Sequence, residues 1–226
     1  MTTLVREPLG VTQRPDGAYH LAGFPDAVKL IKVEGAKARR LADLALHRSD
    51  LKFAWDCLDA LEMLSPEQSI AREAVWRAAI VFFFKCFGES KSRRYRLLPE
   101  KIYRDGPASN QVAFTFFESY RNKHLVHDEN ALSQCPIGAA INGGQKEYKI
   151  EGVVALAHTY GIDGPENRRN LHVLIERASA WAAEEFQKLQ ISIGQDLEQD
   201  SYEALIARAP VQTTVPTIDD IHHLRT

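Results

Sequence analysis

Seven consecutive residues, from Arg121 to His127, bring together side chains that suit acid–base chemistry at a phosphate. The string Arg-Asn-Lys-His-Leu-Val-His holds a fixed cation, an amide, a lysine and two imidazoles. An imidazole can take the proton of a 2′-hydroxyl or protonate a departing oxygen, while a guanidinium stabilises the charge that builds on the phosphate. These residue types predict RNA cleavage without a metal ion. The alternative is a set of solvated polar residues at a helix end, where cations complement the helix dipole.

Two histidines compete for the acid–base role. On an ideal α-helix, at about 100° per residue, Arg121 and His127 point about 120° apart, so one straight helix does not easily present both to one phosphate. Arg121, His124 and Asp128 instead lie close to one face, at spacings of three and seven. His124 therefore stays a rival to His127 as the acid–base residue, or it orients Asp128.

The sequence predicts neither a metal ion nor a cofactor. His124 and His127 stand three positions apart, but no third ligand follows at a clear spacing. The three cysteines, Cys57, Cys86 and Cys135, are far apart and lack the short paired spacing of a zinc site. We expect them to be reduced, with Cys57 and Cys86 in the core.

A basic stretch precedes the motif and is a candidate for contact with the substrate. Seven basic residues stand against three acidic ones between Lys85 and Asp105. Closely spaced cations can bind RNA phosphates, and a tyrosine offers a face for an unstacked base. An ordinary solvated loop would explain the same composition equally well. The residues predicted to bind RNA are Lys91, Arg93, Arg94, Tyr95 and, within the motif, Lys123.

Composition limits the classes of function. A chain of 226 residues with 45% hydrophobic and 26% charged content is typical of a globular protein. Its formal net charge of -2 argues against a protein that coats nucleic acid non-specifically. We find no apolar run near the roughly 20 residues that cross a bilayer and no secretory leader pattern at the N-terminus. We therefore expect a cytoplasmic location and no membrane partner.

Helices are predicted to position the motif. Apolar periodicity indicates a helix from Asp26 to about His47, a second from Ser49 or Asp50 to Leu64, and a third after Ser65-Pro66 to about Phe87. The third carries the stretch Ala78 to Phe84, which is apolar on every side and so predicts a helix that is covered all round or lies at a subunit contact. A fourth helix, rich in aromatic residues, leads directly into Arg121.

The rest of the chain predicts a hairpin, further helices and two irregular ends. Glycines and β-branched residues indicate a β-hairpin within about 135–157. A long helix from Asp163 to about Gln190 and a last helix up to Ala209 follow. We therefore predict a mainly α fold with an extended arm at 1–25, one helical domain at 26–209 and a mobile tail at 210–226.

The segment Phe117 to Asp128 resembles the signature of the HEPN superfamily. In that signature an arginine, usually followed by a polar residue, precedes a histidine by four to six intervening positions. Arg121, Asn122 and His127 fill these places, with five residues between the arginine and the histidine. The order of an apolar third helix, a basic loop and a motif helix is similar to that of the toxin and abortive-infection branches of the superfamily. The hairpin departs from the plain helical core.

The resemblance implies a fold and a function. It implies an up-and-down helical bundle of the HEPN type, a homodimer, and a metal-independent endoribonuclease that acts by 2′-hydroxyl attack and leaves a cyclic phosphate. It also implies a role in toxin–antitoxin or phage-defence systems, with an antitoxin or defence-system partner. The alternative is a catalytically silent module of this type that binds RNA, a nucleotide or a protein partner. A purely structural dimer is a third class.

Overall fold

Helices make up most of the structure, a computed structural model that describes residues 11–13, 19–21, 24, 26–127, 129–212 and 217–223. The six α-helices in these ranges are α1 Ala36–Met63, α2 Ser69–Lys85, α3 Pro99–Ile102, α4 Ala108–Tyr120, α5 Pro165–Leu197 and α6 Tyr202–Ala207. A π-helical stretch, Arg121–Val126, continues α4 and is called the π segment below, and a 3₁₀ helix spans Ile218–His222. None of the helices in the described part of the chain combines the length and apolarity that a membrane crossing requires.

Short strands complete the described structure as three antiparallel pairs. β1 pairs with β2, β3 with β6 and β4 with β5. The β4–β5 pair forms the hairpin predicted within 135–157, so a mainly α fold with a small antiparallel sheet is confirmed. The strands are β1 Val11–Gln13, β2 Tyr19–Leu21, β3 Ser133–Gln134, β4 Ile137–Ile141, β5 Ile150–Ala155 and β6 His158–Thr159.

The chain divides into two units, of which the first combines both chain ends. It takes its described residues from Met1–Ala42 and Gln187–Thr226. Within it, Ile31 forms an antiparallel bridge with Pro210, and Lys29 Nζ donates hydrogen bonds to the carbonyls of Ile206 and Arg208, each at 2.6 Å. Backbone pairing thus joins Ile31 to the start of the expected tail, and the domain boundaries at 25/26 and 209/210 stay predictions.

The second unit, Asp43–Phe186, contains an aromatic core and the whole π segment. The ring of Phe87 lies 5.0 Å from both Phe83 of α2 and Phe114 of α4, measured between centroids. The Tyr103 hydroxyl donates to the carbonyl of Leu174 in α5 at 3.0 Å. Packed aromatic rings exclude water and keep the helices that carry them in fixed positions relative to one another. The core therefore fixes α4, whose last residue directly precedes Arg121.

Helix α1 runs without a break through the position where two helices were predicted. Asp50, expected as a cap, is only 7% exposed, and its carboxylate accepts from Arg93 Nη1 at 2.5 Å and from Lys85 Nζ at 3.1 Å. An aspartate favours a helix start when its side chain turns back to the helix's own amides. Here it turns to two cations instead, so the predicted break at Ser49 or Asp50 is wrong.

Helix α2 is buried on one side and not all round. Ala79, Ile80, Phe83 and Phe84 are buried, but Val81 is 41% exposed. The stretch Ala78 to Phe84 therefore faces the core with most of its apolar residues, as a one-sided helix does. Cys57 and Cys86 are buried and all three cysteines are free, which confirms the placement of these two in the core.

Candidate active site

The motif occupies a widened helical turn that continues α4. The amide of His127 donates to the carbonyl of Asn122 at 3.1 Å, across five residues instead of four. Such π turns are uncommon and often occur at functional sites. His127 itself is extended, with φ -123° and ψ 144°. The 120° separation predicted for Arg121 and His127 assumed a regular α-helix, so it does not apply to this geometry.

Arg121 is held by the side-chain amide of its neighbour. Its Nη1 donates to the Asn122 side-chain oxygen at 2.7 Å. Its Nε is buried without a hydrogen-bond partner, and no acidic side chain of the described residues pairs with it. The positive charge of this guanidinium and its remaining N–H groups are therefore available to bind an anion. Arg121 and Asn122, predicted together from the sequence, are therefore in direct contact.

His124 is positioned by two neighbours. Its ring stacks on Tyr120, with 4.9 Å between centroids and 27° between planes, and its Nδ1 lies 3.2 Å from Asn130 Oδ1. The same oxygen accepts from the amide of Leu132 at 3.1 Å, which identifies it as an acceptor. Nδ1 must then carry the proton, so the neutral ring has its lone pair on Nε2. His124 is thus oriented to accept a proton at Nε2.

His127 and Lys123 are exposed beside this arrangement. The side chain of His127 makes no hydrogen bond or ion pair with a residue that the structure describes. Asp128 lies outside the described residues, and so does the predicted contact between it and His124. Among the described residues, Asn130 is the hydrogen-bond partner of His124. Sequence reasoning missed Asn130, because a single asparagine six residues after a histidine carries no distinctive signal.

Tyr120 adds a buried hydroxyl at the end of α4 that the sequence did not single out. Burial, together with the carboxylates of Glu73 and Asp163, raises the pKa of Tyr120 to about 12, although Arg77 and the indole of Trp76 oppose this shift. The hydroxyl oxygen has no hydrogen-bond partner in the described part of the chain that meets ordinary geometry. Tyr120 is therefore a neutral phenol near physiological pH and a candidate hydrogen-bond donor, not a general acid.

Arg93 of the basic stretch belongs to a buried polar cluster. Its side chain is 13% exposed and its Nη1, besides pairing with Asp50, lies 3.3 Å from His47 Nδ1. His47 Nε2 lies 2.6 Å from the carbonyl of Tyr95, so the neutral ring can donate there and accept from Arg93. Burial lowers the pKa of His47 against the opposing effect of the Tyr95 hydrogen bond, and the charge of Arg93 lowers it as well. This arginine holds the loop against α1.

The other predicted RNA-binding residues differ in their exposure. Lys91 and Arg94 are exposed, whereas Tyr95 is half-buried and its amide donates to Asp43 at 3.1 Å. The structure thus ties the basic stretch to α1, while the π segment contacts α2. Of the residues in this stretch that were predicted to bind RNA, Lys91 and Arg94 have charges that face solvent.

A second string of arginine and histidine has a structural role, and the described residues contain no cluster of metal ligands. The string Arg169 to His172 also places an arginine shortly before a histidine, but Leu171 is fully buried there and the ring of His172 contacts Trp55 at 3.7 Å between centroids. No three His, Cys, Asp or Glu side chains of the described residues gather as they do around a metal ion. The residues that suit chemistry therefore lie in and around the π segment.

Comparison with known proteins identifies no relative: no family model matches the chain, and neither a curated protein nor a solved structure is similar to it. The residues of the π segment and their contacts are therefore the observations that bear on function.

Proposed function

We propose that this protein is a metal-independent endoribonuclease of the HEPN type. One observation carries the proposal. The π segment holds an arginine whose charge no described carboxylate neutralises, next to a histidine whose neutral tautomer is fixed by Asn130. A cation for the phosphate and an oriented base are the two groups that cleavage by a 2′-hydroxyl needs most.

The proposed reaction uses these side chains in fixed roles. Nε2 of His124 takes the proton of the 2′-hydroxyl, and the oxygen attacks the adjacent phosphorus. The bond from phosphorus to the 5′-oxygen breaks, and His127 gives that oxygen a proton. Arg121, held by Asn122, stabilises the charge on the phosphoryl oxygens. The products are a 2′,3′-cyclic phosphate and a 5′-hydroxyl end.

The proposal also includes RNA contacts outside the catalytic residues, the location of the enzyme and its partners. Lys91, Arg94 and Lys123 are exposed cations and are proposed to contact RNA phosphates. We place the enzyme in the cytoplasm, as a homodimer with an up-and-down helical bundle, under the control of an antitoxin or a defence-system partner. The exposed free thiol of Cys135 suits a reducing compartment.

A silent binding module is the second candidate function, and one feature favours it. His127 has no described side-chain contact that would hold its ring, whereas His124 is fixed on two sides. Efficient proton transfer requires a positioned donor. A module that binds RNA, a nucleotide or a protein through Arg121 and Lys123 would need no such positioning.

Cleavage of mixed RNA in the presence of a chelator separates the two candidates. We expect His127→Ala to lower the rate by about 10²- to 10⁴-fold, the range for loss of a general acid or base, and Arg121→Ala to act similarly. His222→Ala changes an exposed histidine elsewhere and should leave the rate unchanged. Activity that disappears in chelator and returns with added metal would refute this mechanism. Tight RNA binding without cleavage would establish the silent module.

A further inference from the structure

A broad groove lies beside the π segment in the second unit. Its volume is about 1050 Å³. One wall comes from the first turns of α2 and the turn before it, and the other from β6, the following loop and the start of α5. Its lining includes Ile70, Arg72, Glu73, Arg77, Asp163 and Arg168. It is called the arginine groove below.

Two of the three arginines in this groove are already engaged. Arg72 Nη1 donates to the carbonyls of Leu61 and Leu64 at 3.0 and 2.7 Å, and its Nη2 lies 3.6 Å from Asp163. Arg77 Nε donates to Glu73 at 2.5 Å. These contacts fix the wall of the groove and neutralise both of its carboxylates.

Arg168 is the arginine without a partner. Its Nε is buried and has no hydrogen bond, and its guanidinium pairs with no acidic residue that the structure describes. Three guanidinium groups against two carboxylates leave one positive charge in excess. A buried donor without an acceptor is costly, and an anionic ligand would supply both the acceptor and the opposite charge.

Apolar residues also line the groove, on the side formed by α2 and the turn before it. Ile70 is 86% exposed and lines the groove together with Leu64 and Pro66. A ligand that matches this lining carries anionic groups for Arg168 and flat, weakly polar surfaces for the apolar residues. Single-stranded nucleic acid has this character, because phosphates alternate with bases that lack partners.

The groove lies near the candidate active site. Helix α2, which forms one wall, contacts the π segment. Glu73, Arg77 and Asp163 of the groove are near enough to the Tyr120 hydroxyl to act on it electrostatically, and Tyr120 directly precedes Arg121. A strand that leaves the π segment along α2 would therefore enter the groove.

We propose that the arginine groove binds the nucleotides of single-stranded RNA that flank the cleaved phosphate, with Arg168 as the phosphate ligand and Ile70 beneath a base. This inference rests on the proposed ribonuclease function. It adds a substrate path and a class of substrate, unpaired RNA, that the catalytic residues alone do not define.

Binding of a labelled single-stranded RNA to the His127→Ala protein tests the groove without cleavage. Arg168→Gln should weaken binding about tenfold and reduce the salt slope by about 0.7, as expected for one lost phosphate contact on a single strand. Arg169→Gln removes the same charge from the adjacent, exposed position outside the groove and should bind within about twofold of the parent. Equal binding by the two variants would overturn the inference.

Two further variants keep the test decisive if Arg168→Gln perturbs folding. Arg168→Lys retains the charge and should restore the salt slope. Ile70→Ser changes a side chain that is almost fully exposed, so it should spare the fold and weaken binding without changing the salt slope. Wild-type binding by Ile70→Ser, or a lowered salt slope in Arg168→Lys, would contradict the assigned contacts.

Competition and activity assays test RNA binding in the arginine groove separately from the proposed ribonuclease function. Adenosine monophosphate and inorganic phosphate at micromolar concentration should not displace the RNA, and displacement would make the groove a site for small phosphates.

If the wild type cleaves RNA but Arg168→Gln binds normally, the groove inference fails and the ribonuclease stands. If binding depends on Arg168 and the wild type cleaves no RNA, the ribonuclease fails, and with it the claim that the bound nucleotides flank a cleaved phosphate.

Discussion

At the scale of single residues, Asn130 determines how His124 can act. Its side-chain oxygen accepts from Leu132 and faces His124 Nδ1, so the free lone pair of the neutral ring lies on Nε2. The sequence could predict Arg121, Asn122 and the two histidines, because their types and spacing carry the signal. It could not predict Asn130, whose role depends on the chain turning back after the π segment.

Substitution of Asn130 should change the pH dependence of cleavage. Asn130→Asp keeps the acceptor and adds a negative charge that stabilises the protonated imidazole, so the acidic limb of the pH profile of kcat/KM should move up by about one pH unit. Asn130→Ala should lower the rate without that movement. Wild-type profiles in both variants would show that His124 is not the base.

His47 should make stability depend on pH. Burial lowers its pKa in the folded state, so between that lowered value and the ordinary 6.5 the unfolded chain binds a proton that the folded chain does not. The free energy of unfolding should therefore decrease as pH falls below 6.5 and be fully restored above it. His47→Gln should remove this contribution, which urea unfolding at several pH values would reveal as a shallower slope. Identical slopes would contradict the assignment.

At the scale of elements, the sequence predicted the helices better than their ends and turns. The aromatic residues of α4 predicted a buried helix before Arg121, and the glycines near residues 138–144 predicted the hairpin. The break expected at Asp50 did not form, because its carboxylate pairs with Arg93, distant in sequence. The π segment was not predicted, because one added residue in a turn leaves no mark on apolar periodicity.

Arg93 and Arg94 should separate the stability of the basic loop from RNA binding. Arg93→Ala removes one partner of a nearly buried carboxylate. It should destabilise the fold by about 3 kcal/mol, the lower end of the range for broken buried pairs, because Lys85 still contacts Asp50. Arg94→Ala should leave unfolding unchanged and weaken RNA binding with a smaller salt slope. Denaturant titrations and binding isotherms measure both effects. Equal stability of the two variants would show that the Asp50 pair contributes little.

At the scale of the whole molecule, the question is whether two chains build the site. Within α2 most of the apolar stretch is covered by its own chain, which leaves less apolar surface than the sequence suggested. Val81 on α2, Phe53 on α1, and Val112 and Phe116 on α4 nevertheless stay exposed. Exposed apolar side chains of this size are candidates for a two-fold contact. We keep the homodimer as a proposal on that basis.

Mixed chains test whether the dimer shares its catalytic residues. We expect Arg121→Ala and His127→Ala proteins to be inactive alone and their hybrid to regain up to about half of the wild-type rate, since one of the two sites in a hybrid dimer would be intact. Light scattering should give twice the mass of one chain. A hybrid as inactive as its parents would refute sharing, and a fully active monomer would refute the dimer.

The most direct test of the central claim is the chemistry of the product ends. An RNA oligonucleotide and its fully 2′-O-methylated counterpart are incubated with the protein in chelator, and the products are identified by mass spectrometry. The account predicts that only the RNA is cleaved, that its fragments end in a 2′,3′-cyclic phosphate, and that Arg121→Ala yields almost none. Cleavage of the methylated strand, or fragments that end in a 3′-hydroxyl, would contradict a reaction driven by the 2′-hydroxyl and the π segment.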